Sequence, residues 1–173
     1  MKKTLLLTLI VLLISGIGIH AQEKKDAKKA KASGKQTEKK YKPVHLTSET
    51  FKEKIFDYTT ETEWKYKGDK PCVIDFYADW CRPCKMIAPI LEDLSEEFKG
   101  EVLVYKVDTQ HNREVAQAFG ITSIPRVLFV PLEGQPYMVT GARGKEFYKA
   151  QMEKLRDSAK KKTNQKETSS EKK

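Results

Sequence analysis

The segment VIDFYADWCRPCKMIAP, residues 73–89, decides the fold because an apolar run changes within it into a helical pattern. Residues 71–79 are nearly all apolar and of strand length, which predicts a β-strand buried on both faces. Beyond Cys81 the apolar residues recur at helical spacing as far as Phe98, and Gly100 predicts the end of this helix. Pro89 lies in its middle and predicts a kink. The chain therefore passes from a buried strand into a helix at two cysteines.

Cys81 and Cys84 lie at the predicted start of the helix. Unpaired N–H groups and partial positive charge at a helix N-terminus favour a thiolate, and Arg82 adds a full positive charge. We therefore expect the pKa of Cys81 to lie below the ordinary value of about 8.5, which makes Cys81 the attacking nucleophile. Cys84 follows one turn later on the same side, close enough to form a disulfide and to act as the second nucleophile. Pro83 lacks an N–H group and stiffens the first turn.

Asp75 is embedded in the apolar strand, six residues before Cys81. Burial would raise the pKa of this carboxyl group by desolvation. A carboxylate behind the cysteines could accept the proton of Cys84 when that thiol has to become a nucleophile. Lys106, in the next predicted strand, is a candidate charge partner. The alternative is that Asp75 lies at a strand end and faces solvent.

The remaining patterns extend this strand and helix into a complete α/β domain over residues 43–158. Thr47 or Ser48 can cap a first helix, and Asn112 can cap a short one after the second buried strand. Two later strands are joined by a Glu-Gly turn and precede a closing helix. The order β-α-β-α-β-α-β-β-α predicts a mixed sheet of about five strands with helices on both faces. Its first strands would be parallel and its final hairpin antiparallel.

The N-terminal segment has the layout of a secretory signal peptide over residues 1–21, with cleavage after Ala21. An uncleaved membrane anchor is the alternative, although the apolar run of about 15 residues is short for a span of about 20. We therefore predict export, to a bacterial periplasm. Residues 22–42 and 159–173 are rich in lysine and poor in apolar residues, which predicts a disordered linker and a disordered tail.

The positive charge of the chain is concentrated outside the predicted domain. The whole chain carries a formal net charge of +9, whereas residues 43–158 hold sixteen basic and nineteen acidic residues. No aromatic residues alternate with the lysines of the two tails in the way that base stacking requires, so nucleic acid is not a predicted partner. The tails are either solvated segments or adhere to an anionic envelope surface.

The sequence resembles the thioredoxin family over about residues 46–157. A bare C-x-x-C motif is weak support, but here Trp80 precedes the first cysteine and Lys85 follows the second. The resemblance implies a thioredoxin-like fold and a cis Ile124–Pro125 bond beside the cysteines, with the backbone of Ile124 binding an extended substrate peptide. The expected substrate-binding residues are Trp80, Arg82, Pro83, Ile124 and Pro125. Arg82 and Arg126 replace the family's usual Gly and Thr, and both are expected to add positive charge at the docking rim.

The implied function is thiol–disulfide exchange with protein substrates through a Cys81–Cys84 redox pair. We expect a monomer without cofactor or metal, working with a membrane or exported redox partner. Asp75, Trp80 and Ile124 are typical of the reductive branch of the family and favour that direction slightly, whereas export and Arg82 favour oxidation. The alternative function is a non-catalytic, thioredoxin-like client-binding protein that its basic tails tether to the envelope.

Cys72 is the third cysteine and lies three positions before Asp75, so it should point to the opposite face of the strand. We interpret it as a buried structural thiol. A redox or glutathione-capped role is the alternative. A zinc site is not predicted because no second pair of ligands is present.

Overall fold

The computed structural model describes residues 41–170, with side chains as far as residue 163. The predicted signal peptide, residues 1–21, and the predicted linker as far as residue 40 lie outside the described residues. From Tyr41 onwards the chain is bound to the domain, because the Tyr41 N–H donates to Glu96 Oε2 at 2.8 Å.

Within residues 41–170, five strands and four helices follow in the predicted order. The strands are β1 (Val44–His45), β2 (Cys72–Tyr77), β3 (Leu103–Asp108), β4 (Arg126–Val130) and β5 (Tyr137–Thr140). The helices are α1 (Ser48–Lys54), α2 (Arg82–Glu97), α3 (Arg113–Ala118) and α4 (Lys145–Ser170). Pro89 lies inside α2, which continues past it.

The five strands form one mixed sheet in the order β1-β3-β2-β4-β5. β1 and β2 run parallel to β3, while β4 is antiparallel to both β2 and β5. The predicted α/β class, the mixed sheet and the antiparallel hairpin are confirmed. In the central strand β2, Asp75 lies opposite Lys106 of β3 and Val127 of β4. Asp75 is therefore flanked by a strand on each side.

Side chains of β2 alternate between two apolar layers. Val73 packs with Leu91 of α2 and Met152 of α4 on one face. Ile74 packs with Phe51 of α1 and Val115 of α3 on the other. Each fully buried aliphatic or aromatic side chain of this kind contributes about 1.5–3 kcal/mol. The two layers hold β2 rigidly, and with it the turn that carries the cysteines.

Two predicted helix caps differ in what their side chains do. Thr47 caps α1 in a capping box with Thr50. Asn112 lies at the N-cap position of α3, but its side chain makes no capping hydrogen bond. Its amide instead accepts the Ser48 N–H at 2.9 Å and donates to the Asp108 carbonyl at 3.0 Å. The Asn112 side chain therefore ties the start of α1 to the end of β3.

The prediction of a disordered tail from residue 159 was wrong for the described part of the chain, because α4 continues to Ser170. Residues 159–170 contain neither Gly nor Pro and are rich in good helix formers, so the helix has no local reason to stop. Lys160 pairs with Glu101 at 2.8 Å and Lys162 with Glu133 at 2.8 Å, which attaches this turn to the domain. Among the described helices, none has the length and apolar character needed to cross a membrane.

Candidate functional site

A disulfide joins Cys81 and Cys84 where β2 leads into α2. Cys81 is the N-cap of α2, and the Cys84 N–H points back to Cys81 Sγ at 3.2 Å. Pro83 lies in the first turn of the helix, as the sequence predicted. The first turn therefore directs a backbone donor at the Cys81 sulfur, which is the arrangement that stabilises a thiolate there.

Neighbouring residues bury the disulfide, and a rim of exposed residues, Trp80, Arg82 and Pro83, lies beside it. Cys81 is 3% and Cys84 2% exposed, and Ile124 packs against their cluster. The Ile124–Pro125 peptide bond is cis. Trp80 is 68% exposed, and Arg82 and Pro83 are exposed as well. The structure thus places Ile124 against the cysteines and the first-turn residues on the open surface beside them.

Asp75 is fully buried, so the alternative that it faces solvent was wrong. Neither of its carboxylate oxygens has a hydrogen-bond partner among the described residues. Burial raises the pKa of Asp75 to about 7, although the charge of Lys106 acts in the opposite direction. Asp75 and Cys84 line the same cavity of about 110 Å³, which has room for a water molecule.

Lys106 is near Asp75 but makes no hydrogen bond to it. Its Nζ lies 4.4 Å from the centroid of the Tyr77 ring, and the Tyr77 hydroxyl lies 3.3 Å from His45 Nδ1. Tyr77 is not among the site residues predicted from the sequence. Strand alternation could have found it, because residues 75 and 77 of one strand point to the same face.

Arg126, which was expected to add positive charge at the docking rim, is half-buried and bonded to a backbone carbonyl. Its Nη1 donates to the Gly120 carbonyl at 3.1 Å. In the β2–β4 register Arg126 lies opposite Phe76, whose side chain belongs to the layer that packs on α1 and α3. The Arg126 guanidinium therefore holds the turn after α3, and Arg82 and Lys85 are the exposed cations of the first turn of α2.

Cys72 forms no disulfide and is buried in the layer opposite Asp75, with Ile74 and Phe76. Burial raises the pKa of its thiol to about 12. A thiol with such a pKa carries almost no thiolate near neutral pH. Cys72 is therefore a packing residue in the folded chain.

Comparison with known proteins gives one consistent family. The thioredoxin family model matches residues 42–154. A thioredoxin of Borreliella burgdorferi is 45% identical over 98 residues, which is 57% of this chain and 84% of that protein. Thioredoxin 1 of a Nostoc species is 34% identical over 111 residues, 64% of this chain and 94% of that protein. An M-type chloroplastic thioredoxin of Pisum sativum is 40% identical over 87 residues, 50% of this chain and 51% of that protein.

Proposed function

This chain belongs to the thioredoxin family and is a thiol–disulfide oxidoreductase, and we propose that it is exported and reduces disulfides of proteins outside the cytoplasm. The proposal for the substrate rests on the exposed rim around the disulfide, where Trp80, Arg82 and Pro83 offer an extended peptide an apolar, a charged and a rigid contact. The proposal for export rests on the apolar segment of residues 1–21.

One observation carries the roles of the two cysteines: the Cys84 N–H donates to Cys81 Sγ at the N-terminus of α2. In the reduced chain this donor and the helix dipole favour the thiolate of Cys81. That thiolate attacks one sulfur of a substrate disulfide, and the other substrate sulfur leaves as a thiolate that takes up a proton. A mixed disulfide between Cys81 and the substrate results.

Cys84 then resolves the mixed disulfide. Its thiol loses a proton to the carboxylate of Asp75, through a water molecule in the cavity that both residues line. The Cys84 thiolate attacks Cys81 Sγ, and the second substrate sulfur leaves as a thiolate. Two electrons have passed from the chain to the substrate, and the Cys81–Cys84 disulfide has formed. A pKa of about 7 suits Asp75 to both proton acceptance and proton release near neutral pH.

We slightly favour reduction of the substrate as the direction of electron flow, because Asp75, Trp80 and Ile124 are typical of the reductive branch of the family. The exposed Arg82 has the opposite tendency, since a stabilised thiolate makes the dithiol the preferred form and the pair more oxidising. A chain that reduces substrates outside the cytoplasm needs a dithiol donor, which would be a membrane or exported redox partner.

Insulin reduction by dithiothreitol tests the activity on a protein disulfide. We expect the purified full chain to accelerate insulin precipitation, Cys81→Ser to lose the acceleration, and Cys72→Ser to retain it as a matched control. Equally low turnover by the wild type and by Cys81→Ser would contradict the enzymatic function and favour the client-binding alternative.

Export is tested separately with a reporter. Residues 1–42 are fused to an alkaline phosphatase that becomes active only where its own disulfides form. We expect activity from this fusion and none from a fusion that begins at residue 22. An inactive first fusion would contradict the proposed localisation without affecting the proposed chemistry.

A further inference from the structure

A cavity of about 260 Å³ lies at the amino end of β2, away from the disulfide, which follows the carboxyl end of that strand. Its walls come from the residues before β2, from the turn between α2 and β3, from Leu132 after β4, and from α4 between Arg156 and Thr163. Ala159 and Lys160 belong to the part of α4 that continues beyond residue 158. The cavity therefore depends on a segment that the sequence had indicated as a tail.

Basic side chains outnumber acidic ones around this cavity. Its basic lining residues are Lys70, Lys99, Arg156 and Lys160, and its acidic ones are Asp69 and Glu101. Lys160 neutralises Glu101 across 2.8 Å. Neither Lys70 nor Lys99 forms an ion pair with a residue that the structure describes. The ammonium groups of these two lysines therefore have no ion-pair partner among the described residues, although the net charge of residues 43–158 is negative.

The backbone places these two lysines around one turn. Lys99 has a left-handed conformation, with φ of 47°, and Gly100 follows with φ of 78°. Lysine is not a residue that favours this conformation, in contrast to Gly or Asn. Lys70 Nζ lies against the same turn, 3.9 Å from the position that a Cβ atom would take at Gly100. The turn therefore keeps a strained lysine at the rim of a cavity that a second free lysine also lines.

We propose that this cavity binds a phosphate monoester, either on a soluble molecule or on a lipid headgroup. The four basic and two acidic lining residues leave a net charge of +2, which matches a phosphate monoester, close to −2 at neutral pH, better than a single carboxylate. The volume lies just below the range of about 300–1,000 Å³ that drug-sized ligands occupy. A phosphate with a short polyol is the size that fits.

A competing explanation is that the two lysines only neutralise the carbonyl end of α2, which terminates at this turn. The two explanations predict different results when a ligand is added. Charges that serve the helix end alone change the stability of the free chain and give no saturable binding. A phosphate site gives saturable binding that depends on Lys70 and Lys99.

The test is a titration of the purified full chain with glycerol 3-phosphate, followed in ¹H–¹⁵N spectra at constant ionic strength. We expect saturable shifts at the amides of residues 99–101. Lys70→Gln/Lys99→Gln should bind about tenfold more weakly or worse, because two charge-assisted contacts are lost. Lys154→Gln/Lys161→Gln is the matched control, since it removes two exposed lysines of α4 that do not line the cavity. Lys99→Gly removes the cation while relieving the backbone, so its weaker binding could not come from misfolding.

Sedimentation with vesicles identifies the source of the phosphate. Binding to phosphatidylcholine vesicles that contain phosphatidic acid, lost in the Lys70/Lys99 variant, supports a lipid headgroup, whereas binding of glycerol 3-phosphate alone supports a soluble ligand. Shifts that sodium chloride reproduces, or an equal response of the cavity variant and its control, would overturn the proposal. Insulin reduction should be the same in all these variants, so failure of this proposal leaves the proposed function unaffected.

Discussion

The ammonium group of Lys106 lies over the ring of Tyr77, 4.4 Å from its centroid, rather than on the carboxylate of Asp75 that it faces in the sheet register. A cation–π contact of this kind is worth about 0.5–2 kcal/mol. The ring thus holds the nearest cation back from the buried acid. We therefore expect Tyr77 to contribute to the raised pKa of Asp75 by its contact with Lys106.

Tyr77→Leu should therefore lower the pKa of Asp75 from about 7, by up to about one pH unit. Without the ring, Lys106 is free to approach the carboxylate and stabilise its charge. The ¹³C shift of the Asp75 carboxyl group, followed against pH, measures this. Tyr77→Phe is the control, because it keeps the ring and removes only the hydroxyl that contacts His45. An unchanged titration in Tyr77→Leu would show that the ring does not hold Lys106 away.

Asp75→Asn should stabilise the protein increasingly as pH rises from 4 to 7. Burial raises the pKa of Asp75 to about 7 in the folded chain, whereas the unfolded chain releases the proton near the ordinary pKa of 3.8. The charge of Asp75 therefore destabilises the wild type progressively over this interval and fully above it. The advantage of the variant should grow by roughly 4 kcal/mol across the interval. Urea unfolding of both proteins at pH 4, 6 and 8 measures it, and parallel curves would contradict it.

The same substitution should slow the resolving step. Asn keeps the shape of Asp75 but accepts no proton, so attack by Cys84 should slow by about tenfold to a hundredfold. Attack by Cys81 should change little. The lifetime of the mixed disulfide between pH 6 and 8 measures the effect, and the wild-type rate should rise as the pH passes about 7. Asp79→Asn, which removes an exposed carboxylate from the same cavity, is the control. Equal lifetimes in Asp75→Asn and wild type would reduce Asp75 to a structural residue.

Cys84→Ser should trap substrates on Cys81 as stable mixed disulfides, because no second thiol is present to resolve them. Cys81→Ser should trap none. Non-reducing electrophoresis after incubation with a disulfide-containing protein measures both. Faster alkylation of Cys84 than of Cys81 in the reduced wild type at neutral pH would reverse the two roles.

Removal of residues 159–173 should lower the melting temperature at low salt, because the ion pairs of Lys160 with Glu101 and of Lys162 with Glu133 are lost. The difference should shrink as salt screens exposed pairs. Removal of residues 164–173 alone spares both pairs and is the control. Insulin reduction should be unchanged in both truncations, since neither removes a residue near the disulfide. Equal melting temperatures of all three proteins at low salt would show that these pairs add no stability.

The elements of the fold could be predicted because their patterns are local. The apolar run before Cys81 and the helical spacing after it are each repeated over enough residues to dominate other signals. The end of α4 could not be predicted in the same way. A lysine-rich segment with little apolar surface is predicted to be disordered unless other parts of the fold hold it in place. Here Glu101 and Glu133 do so by pairing with lysines of α4, and both acids are distant from α4 in the sequence.

The position of Asp75 in the site could be anticipated, but not the contacts of the cations around it. A strand that is covered on both faces buries each of its side chains, so the burial of Asp75 follows from its position in the strand. A lysine or arginine has a long side chain that reaches several partners, and tertiary packing decides which one it meets. Lys106 meets Tyr77 and Arg126 meets the Gly120 carbonyl, and no sequence spacing encodes either choice.

The burial of Cys72 also protects the identity of the redox pair. A free thiol only nine positions from Cys81 could attack the Cys81–Cys84 bond in an unfolded chain and scramble it. In the folded chain Cys72 is at the far end of the central strand and on the opposite layer, so the exchange requires the sheet to open. Alkylation of Cys72 in the oxidised protein therefore proceeds only through opening of the central sheet, and its rate can serve as an internal clock for unfolding.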